Sequence, residues 1–239
     1  GERILLDMMD VPDEFTIELM RAVRKVKAEP FVEIRRTRLV REMLCGATES
    51  QAKTARKIEL SRMKQMHAYI AIRGADNMNE NSDVPGEKLS LYSRILRDVQ
   101  NHRVNETKWC VLRWPTPSMA QAAGMSTEAF EDLYFKVCTM NYAKMAKAMK
   151  PLQKRMAKAN KVHIKAPGTD LRFSIKGLGA ISCSGDRNVP DGEVFSCPVK
   201  KSVNGTIAYN TPSVYSGSKF ENVALEFKDG KIINAASSD

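Results

Sequence analysis

The chain has 239 residues, of which 43% are hydrophobic and 28% charged, and its formal net charge is +10. These proportions are typical of a globular protein and exclude a disordered chain, which would lack the apolar residues for a core. Because no apolar run approaches the roughly 20 residues of a membrane-spanning helix, and the residues after Gly1 show no cleavable leader pattern, we expect neither a membrane anchor nor a secretion signal.

The first two thirds of the chain alternate short apolar runs with longer amphipathic ones. Four runs are predicted as strands: residues 4–8, 31–34, 68–72 and 109–112. Six segments are predicted as helices: residues 13–27, 48–66, 88–99, 118–122, 127–139 and 142–160. Thr48 and Gln51 form a capping sequence at the start of the second helix. Strands separated by helices of this length predict parallel pairing with right-handed crossovers, which is an α/β domain over residues 1–160.

The composition changes after residue 160, where short β-rich runs alternate with turn sequences. Strands are predicted at residues 162–165, 171–176, 192–195, 205–209 and 224–227. Asp229-Gly230 predicts a hairpin turn between two apolar runs. We therefore expect a second, antiparallel β-rich region over residues 161–239. Since this region stops just after the hairpin, we expect it to be incomplete.

The five cysteines are odd in number and form no CxxC pair, which argues against a disulfide framework and against structural zinc. We expect buried free thiols in a reducing cytoplasm. The densest basic run, residues 144–161, carries Met145, Met149, Leu152 and Met156 at helical spacing. This pattern favours one buried apolar stripe with solvated lysines over a nucleic-acid site.

Familiar catalytic motifs such as HExxH, GxSxG and the phosphate-binding GxxxxGK do not occur in the sequence. His67, His102 and His163 are too far apart to form a metal site by spacing. Residues 73–85 and 113–118 follow predicted strands, where ligand clefts form in α/β sheets. Their chemistry favours ordinary connecting loops.

One segment, residues 185–195, has more specific chemistry. Its Pro190-Asp191-Gly192 turn places Glu193 at the first position of an apolar strand. A carboxylate held at a strand mouth suits a metal ligand, and it equally suits a solvated glutamate. The residues alone leave both interpretations open, because hard-metal sites need several oxygen ligands.

Several segments together resemble the family of aminopeptidase T, aminopeptidase S and PepS, a group of metallo-aminopeptidases. The residues Arg187-Asn188-Val189-Pro190-Asp191-Gly192-Glu193 match the family's arginine-asparagine-isoleucine-proline-x-glycine-glutamate segment. Residues 113–116 and 167–171 precede it, and residues 203–206, 215–217 and 220–222 follow it, in the family's order. The resemblance covers nearly the whole chain.

The resemblance implies a hydrolase that removes N-terminal residues from peptides using two divalent ions, which are cobalt, zinc or magnesium in different members. It implies a metal pair held by two glutamates, two histidines, a tyrosine and an aspartate, with the first glutamate at Glu193. The remaining ligands belong to motifs that follow the last hairpin of this chain. The resemblance therefore implies a chain that is catalytically incomplete by itself, from a cytoplasmic enzyme that forms a homodimer.

Two other functions are compatible with the sequence. The first is an inactive interaction or regulatory module derived from an aminopeptidase, in which Glu193 has no role. The second is a nucleic-acid binder, which rests on the +10 charge alone. We expect peptide substrates, and neither nucleic acid nor a membrane as a partner.

Overall fold

The computed structural model describes residues 1–215 and 218–238, and the chain divides into two compact units. Unit 1 comprises residues 1–140 and 186–190, and unit 2 comprises residues 141–185 and 191–239. The helix predicted at 142–160 groups with unit 2, so the domain division predicted at residue 160 stays a prediction. Ser216 and Gly217, which belong to one of the resembling segments, lie outside the described residues together with Asp239.

Unit 1 is built on a five-stranded parallel sheet with the order β2-β1-β3-β4-β8. Its strands are β1 (Arg3–Met9), β2 (Glu29–Arg35), β3 (Ala68–Arg73), β4 (Lys108–Arg113) and β8 (Asn188–Val189). The four predicted strands are confirmed, and each is one to three residues longer than predicted. The two-residue β8 was not predicted, because its edge position leaves no apolar run in the sequence.

Seven helices of unit 1 lie between or after these strands. They are α1 (Asp13–Lys25), α2 (Thr37–Cys45), α3 (Glu49–Met63), α4 (Gly86–Ile95), α5 (Arg97–Glu106), α6 (Pro117–Ala122) and α7 (Thr127–Cys138). Thr48 caps α3 as predicted, since its hydroxyl oxygen accepts a hydrogen bond from Gln51 N at 3.2 Å. The single helix predicted at 88–99 is wrong, because two helices meet at Leu96. Helix α2 was missed, since it buries Leu44 alone.

Both faces of the parallel sheet are covered. Leu5 and Tyr69 face α3 and α5 and pack with Met63 and Val99. On the opposite face, a second cluster contains Leu6, Met8, Val11, Val23 and Ile72. Each fully buried side chain of this size stabilises the fold by about 1.5–3 kcal/mol. Burial on both faces explains why the central strands β1 and β3 appear as nearly continuous apolar runs in the sequence.

Unit 2 contains one long helix and mostly antiparallel strands, which confirms the predicted fold class of a parallel α/β region followed by a β-rich region. Helix α8 (Tyr142–Lys158) is followed by β5 (Lys161–Ala166), β6 (Thr169–Ser174) and β10 (Asn204–Ala208). The larger sheet has the order β11-β12-β10-β6-β5, and β13 pairs with β12. Strand β11 spans Ser213–Tyr215, β12 spans Ser218–Lys228 and β13 spans Lys231–Ser238.

The apolar stripe predicted on α8 is confirmed in part. Met149 is buried, and Met145 and Met156 are half-buried. The prediction is wrong for Leu152, which is 51% exposed. Pro151 lies inside the helix next to Leu152.

The predicted hairpin at Asp229-Gly230 is confirmed. Both residues have positive φ, 49° and 75°, as a two-residue type I′ turn requires. The strand predicted at 224–227 is in fact the longer β12, which pairs antiparallel with β13.

We expect Gly205→Ala to destabilise unit 2 by about 1–3 kcal/mol. Gly205 lies in β10 between β6 and β12 with φ of 108°, and an added Cβ would stand 2.0 Å from the Asp170 carbonyl oxygen. Chemical denaturation followed by far-ultraviolet circular dichroism measures the loss. Gly86→Ala is the control, because it lies at the first position of α4 with open space around it. Equal effects of the two substitutions would contradict the expectation.

The five cysteines all lie among the described residues, and they form no disulfide bond. The prediction that they are buried is wrong, because Cys197 is exposed and the other four are half-buried. Within residues 1–215 and 218–238, the helices are all too short or too polar to span a bilayer.

Candidate metal centre at the start of strand β9

Glu193 begins a short strand in unit 2, as the sequence predicts. Strand β9 (Glu193–Phe195) pairs antiparallel with β7 (Ile181–Cys183), and Glu193 lies opposite Cys183. The two strands form a separate two-stranded sheet. The predicted strand at 192–195 is therefore confirmed, and β7 was not predicted.

The residues before Glu193 are held by hydrogen bonds rather than by burial. The Asp191 carboxylate accepts from Gly185 N at 3.1 Å and from Gly192 N at 2.9 Å. Asp191 N donates to the Tyr142 hydroxyl oxygen at 3.3 Å. These bonds occupy the Asp191 carboxylate, so its role is to fix the turn that precedes Glu193.

Two glycines permit this turn. Gly185 has φ of 85°, and a Cβ there would lie 2.7 Å from the Tyr142 ring. Gly192 has φ of 145°, a value that L side chains rarely adopt. Glycine at these two positions therefore allows the backbone to form the turn that precedes Glu193.

The Glu193 side chain is exposed and takes part in no ion pair or side-chain hydrogen bond that the described residues offer. A carboxylate without a protein partner is chemically suited to ligate a hard cation. However, residues 1–215 and 218–238 contain no group of three or more His, Cys, Asp or Glu side chains that could hold a metal ion. Among the described residues, Glu193 is therefore suited to be one ligand of a metal centre, but these residues do not provide a complete set of ligands.

The three histidines lie on separate elements, as their spacing suggests. The His67 Nδ1 accepts from Arg3 N at 3.0 Å just before β3, and His102 lies on α5. His163 lies on β5 and its Nε2 is 2.8 Å from Asp170 Oδ1 on β6. This hydrogen bond, together with nearby basic side chains, lowers the pKa of the Asp170 carboxyl. His163 is exposed, so this is a hydrogen bond at the surface.

The two loops that follow β3 and β4 join each other at the carboxyl end of the parallel sheet. Trp114 N donates to the Arg73 carbonyl oxygen at 3.0 Å, and the Thr116 hydroxyl donates to the Ala75 carbonyl oxygen at 3.0 Å. Ser118 donates to the same carbonyl. These are neutral bonds between loops, in agreement with ordinary connecting segments.

Sequence reasoning missed a buried charged cluster in unit 1. Asp7, in the middle of β1, is 3% exposed, and its Oδ2 accepts from the Tyr69 hydroxyl at 2.6 Å and from Arg73 Nη2 at 2.5 Å. Its Oδ1 lies 3.3 Å from Arg35 Nε. The signal was present in the sequence, since a charge inside an apolar central strand requires a buried partner.

The environment of the cluster shifts two pKa values. Burial would raise the pKa of Asp7, but the bond to Arg73 and the charges of Arg73 and Arg35 outweigh it, so the pKa is lowered. Burial and the negative charge of Asp7 raise the pKa of Tyr69 to about 12. The tyrosine therefore remains a hydrogen-bond donor to an ionised carboxylate.

Comparison with known proteins identifies the family of the chain. The model of the thermophilic metalloprotease (M29) family matches residues 1–239. The chain belongs to this family. The expected resemblance is therefore confirmed over the full length of the chain.

Two curated relatives of this M29 chain are named as aminopeptidases. It is 25% identical over 221 residues to aminopeptidase PepS of Streptococcus thermophilus, covering 74% of this chain and 53% of the relative. It is 29% identical over 200 residues to aminopeptidase 2 of Geobacillus stearothermophilus, covering 72% of this chain and 48% of the relative. The chain thus spans about half the length of these relatives.

A solved structure shares the fold of this M29 chain. Wild-type AmpT from Thermus thermophilus superposes with a TM-score of 0.78 at 20% sequence identity, over 100% of this chain and 67% of the other. At this identity the likeness concerns the fold alone. It agrees with the parallel α/β region followed by antiparallel strands.

Proposed function

We propose that the natural protein is a metal-dependent aminopeptidase that hydrolyses N-terminal residues from peptides. The observation that carries this proposal is the match of all 239 residues to the thermophilic metalloprotease family. The names of the two aminopeptidase relatives support it.

The finer part of the proposal concerns the metal centre. Glu193 supplies one carboxylate ligand, and the other ligands of a two-ion centre of cobalt, zinc or magnesium come from outside the described residues. Divalent ions in hydrolytic sites lower the pKa of a bound water, so that hydroxide is available at neutral pH to attack the scissile carbonyl. The exposed and unpaired carboxylate of Glu193, at the end of a tightly bonded turn, supports this assignment.

A cytoplasmic location and a homodimer complete the proposal. Both rest on the family resemblance. The five cysteines form no disulfide bond, which agrees with a reducing compartment.

The proposal is tested with the natural protein and two versions of one peptide. The peptide with a free N-terminus should be cleaved one residue at a time, and the N-acetylated peptide should remain intact. Chelation should abolish cleavage, and cobalt, zinc or magnesium should restore it. Liquid chromatography with mass detection identifies the products. If neither peptide is cleaved with any of the three metals, the protein is an inactive relative with an interaction or regulatory role.

A further inference from the structure

A cavity of about 670 Å³ opens between one face of the parallel sheet and helices α3, α4 and α5, all within unit 1. Its volume lies in the range of small-molecule pockets, roughly 300–1,000 Å³. Arg35 and Arg73, the last residues of β2 and β3, both line it. It is therefore near the carboxyl ends of the strands, where α/β sheets commonly bind ligands.

The inner wall of the cavity is electrically balanced. Two carboxylates of the wall, Asp7 and Glu59, and the adjacent Glu33, which does not line the cavity, form ion pairs with three arginines. These arginines are Arg35, Arg62 and Arg73. This inner group therefore contributes no net charge.

Three further arginines line the same cavity and change this balance: Arg94 of α4, and Arg97 and Arg103 of α5. Across residues 1–215 and 218–238, the ion pairs shorter than 4 Å include none of these three side chains. The cavity wall thus carries an excess of three positive charges.

Arg103 is fixed in place by neutral groups. Its Nη1 donates to the Tyr69 hydroxyl oxygen at 2.8 Å, and its Nη2 donates to Gln100 Oε1 at 2.6 Å. Its guanidinium carbon lies 4.4 Å from the centre of the Tyr69 ring. Since Arg103 is half-buried, its charge is held in position without a carboxylate to compensate it.

We propose that this cavity binds a small phosphorylated molecule, with its phosphate group on Arg94, Arg97 and Arg103. Guanidinium groups bind phosphate oxygens through paired, charge-assisted hydrogen bonds. A phosphate monoester carries about two negative charges and three terminal oxygens, which match three arginines that are outside these ion pairs better than the single charge of a carboxylate does. Tyr92, Met63 and Leu96 line the same cavity and provide contacts for the remainder of the molecule.

The cavity favours a small molecule over a nucleic acid. The basic residues converge on one concave site, whereas nucleic-acid surfaces spread phosphate contacts along a stripe. This proposal does not depend on peptide hydrolysis.

The test is calorimetric titration of the natural protein at pH 7.5 with inorganic diphosphate, inorganic phosphate and acetate. EDTA is present, so that a bound divalent metal cannot capture the phosphate. We expect saturable binding of both phosphates at one site, with a Kd of about 1 mM or less for diphosphate. Acetate should bind at least about tenfold more weakly, because it offers fewer charge-assisted bonds.

Two double variants that lose the same charge distinguish binding in the cavity from a general effect of the protein's net charge. Arg94→Gln with Arg97→Gln should raise the Kd of diphosphate at least about tenfold. The control is Arg24→Gln with Arg38→Gln, since both residues are exposed and lie outside the cavity. This control should change the Kd less than about twofold, because long-range charge is screened by salt.

Three results of these titrations would overturn the proposal. These are the lack of saturable phosphate binding, an equal effect of the two double variants, and unchanged binding in the cavity variant. Arginine-dependent binding of a single-stranded oligonucleotide that diphosphate fails to displace would also overturn it, in favour of a nucleic-acid surface.

Discussion

Replacing Glu193 with glutamine in the natural protein is expected to lower kcat/KM for a peptide with a free N-terminus by at least about 100-fold. Loss of groups that merely support a metal ligand already costs about 10–100-fold, so loss of a ligand itself should cost more. Glutamine has nearly the same size as glutamate but lacks the negative charge that makes a carboxylate a strong ligand of a hard cation. The bound metal, measured by mass spectrometry after dialysis, should fall together with the activity.

The matched control for this substitution is Glu226→Gln. Glu226 is also an exposed glutamate on a strand of unit 2, and it lies on β12, in a different sheet from Glu193. It should retain full activity and metal content. Retained activity and metal in Glu193→Gln would reject Glu193 as a ligand, while leaving the aminopeptidase assignment to the peptide experiment.

Replacing Asp7 with asparagine is expected to destabilise unit 1 by about 3–5 kcal/mol, because the charge of Arg73 would lose its carboxylate partner, whereas Arg35 would keep Glu33 and Glu59. Asp7 is 3% exposed and interacts with both Arg35 and Arg73. The side chains of these arginines are only 31% and 22% exposed, so water compensates their charge poorly.

Tryptophan fluorescence during urea unfolding measures this effect selectively. The two tryptophans, Trp109 and Trp114, both belong to unit 1. Asp98→Asn is the control, because Asp98 also pairs with an arginine but does so at the surface. It should shift the transition little, since exposed pairs contribute little to stability. Similar shifts for the two variants would mean that the Asp7 cluster is not a buried ion pair.

The effect of Asp7→Asn should depend on pH. The pKa of Asp7 in the folded protein is lowered, and an unfolded aspartate titrates near about 3.9. The stability from its ionised form is therefore fully present above about pH 4 and is lost as pH falls through the folded pKa. The unfolding free energies of wild type and variant should thus converge in strong acid, where both side chains are neutral. A difference that stays constant down to pH 2 would contradict this account.

Local patterns predicted the elements whose cause is local. The hydroxyl of Thr48, the Asp229-Gly230 turn and the apolar runs of β1, β3 and β4 each act within a few residues, and each is confirmed. The failures have non-local causes. Leu152 matches the helical spacing of buried residues, but it is 51% exposed. Helical spacing shows which residues share a face, but it does not show how much of that face other elements cover.

In the candidate site, too, local features were predicted from the sequence and non-local contacts were not. The position of Glu193 at a strand start follows from its Pro-Asp-Gly turn, and the family resemblance gave it a metal role that stays a prediction. The Asp191 bonds that hold this turn involve Gly185 and Tyr142, which lie 6 and 49 residues away. Sequence spacing offers no way to pair them.

The sequence by itself determined the α/β class, the later β-rich region and the family, because these depend on periodicity and on motifs that are contiguous in the chain. Only the tertiary structure determined which charged side chains are buried together. Asp7, Arg73 and Arg103 are separated by tens of residues, and parallel pairing of β1 with β3 brings the first two together. Ion pairs and hydrogen bonds form only between groups a few ångströms apart in space, so these contacts are determined only when the strands and helices have been assembled.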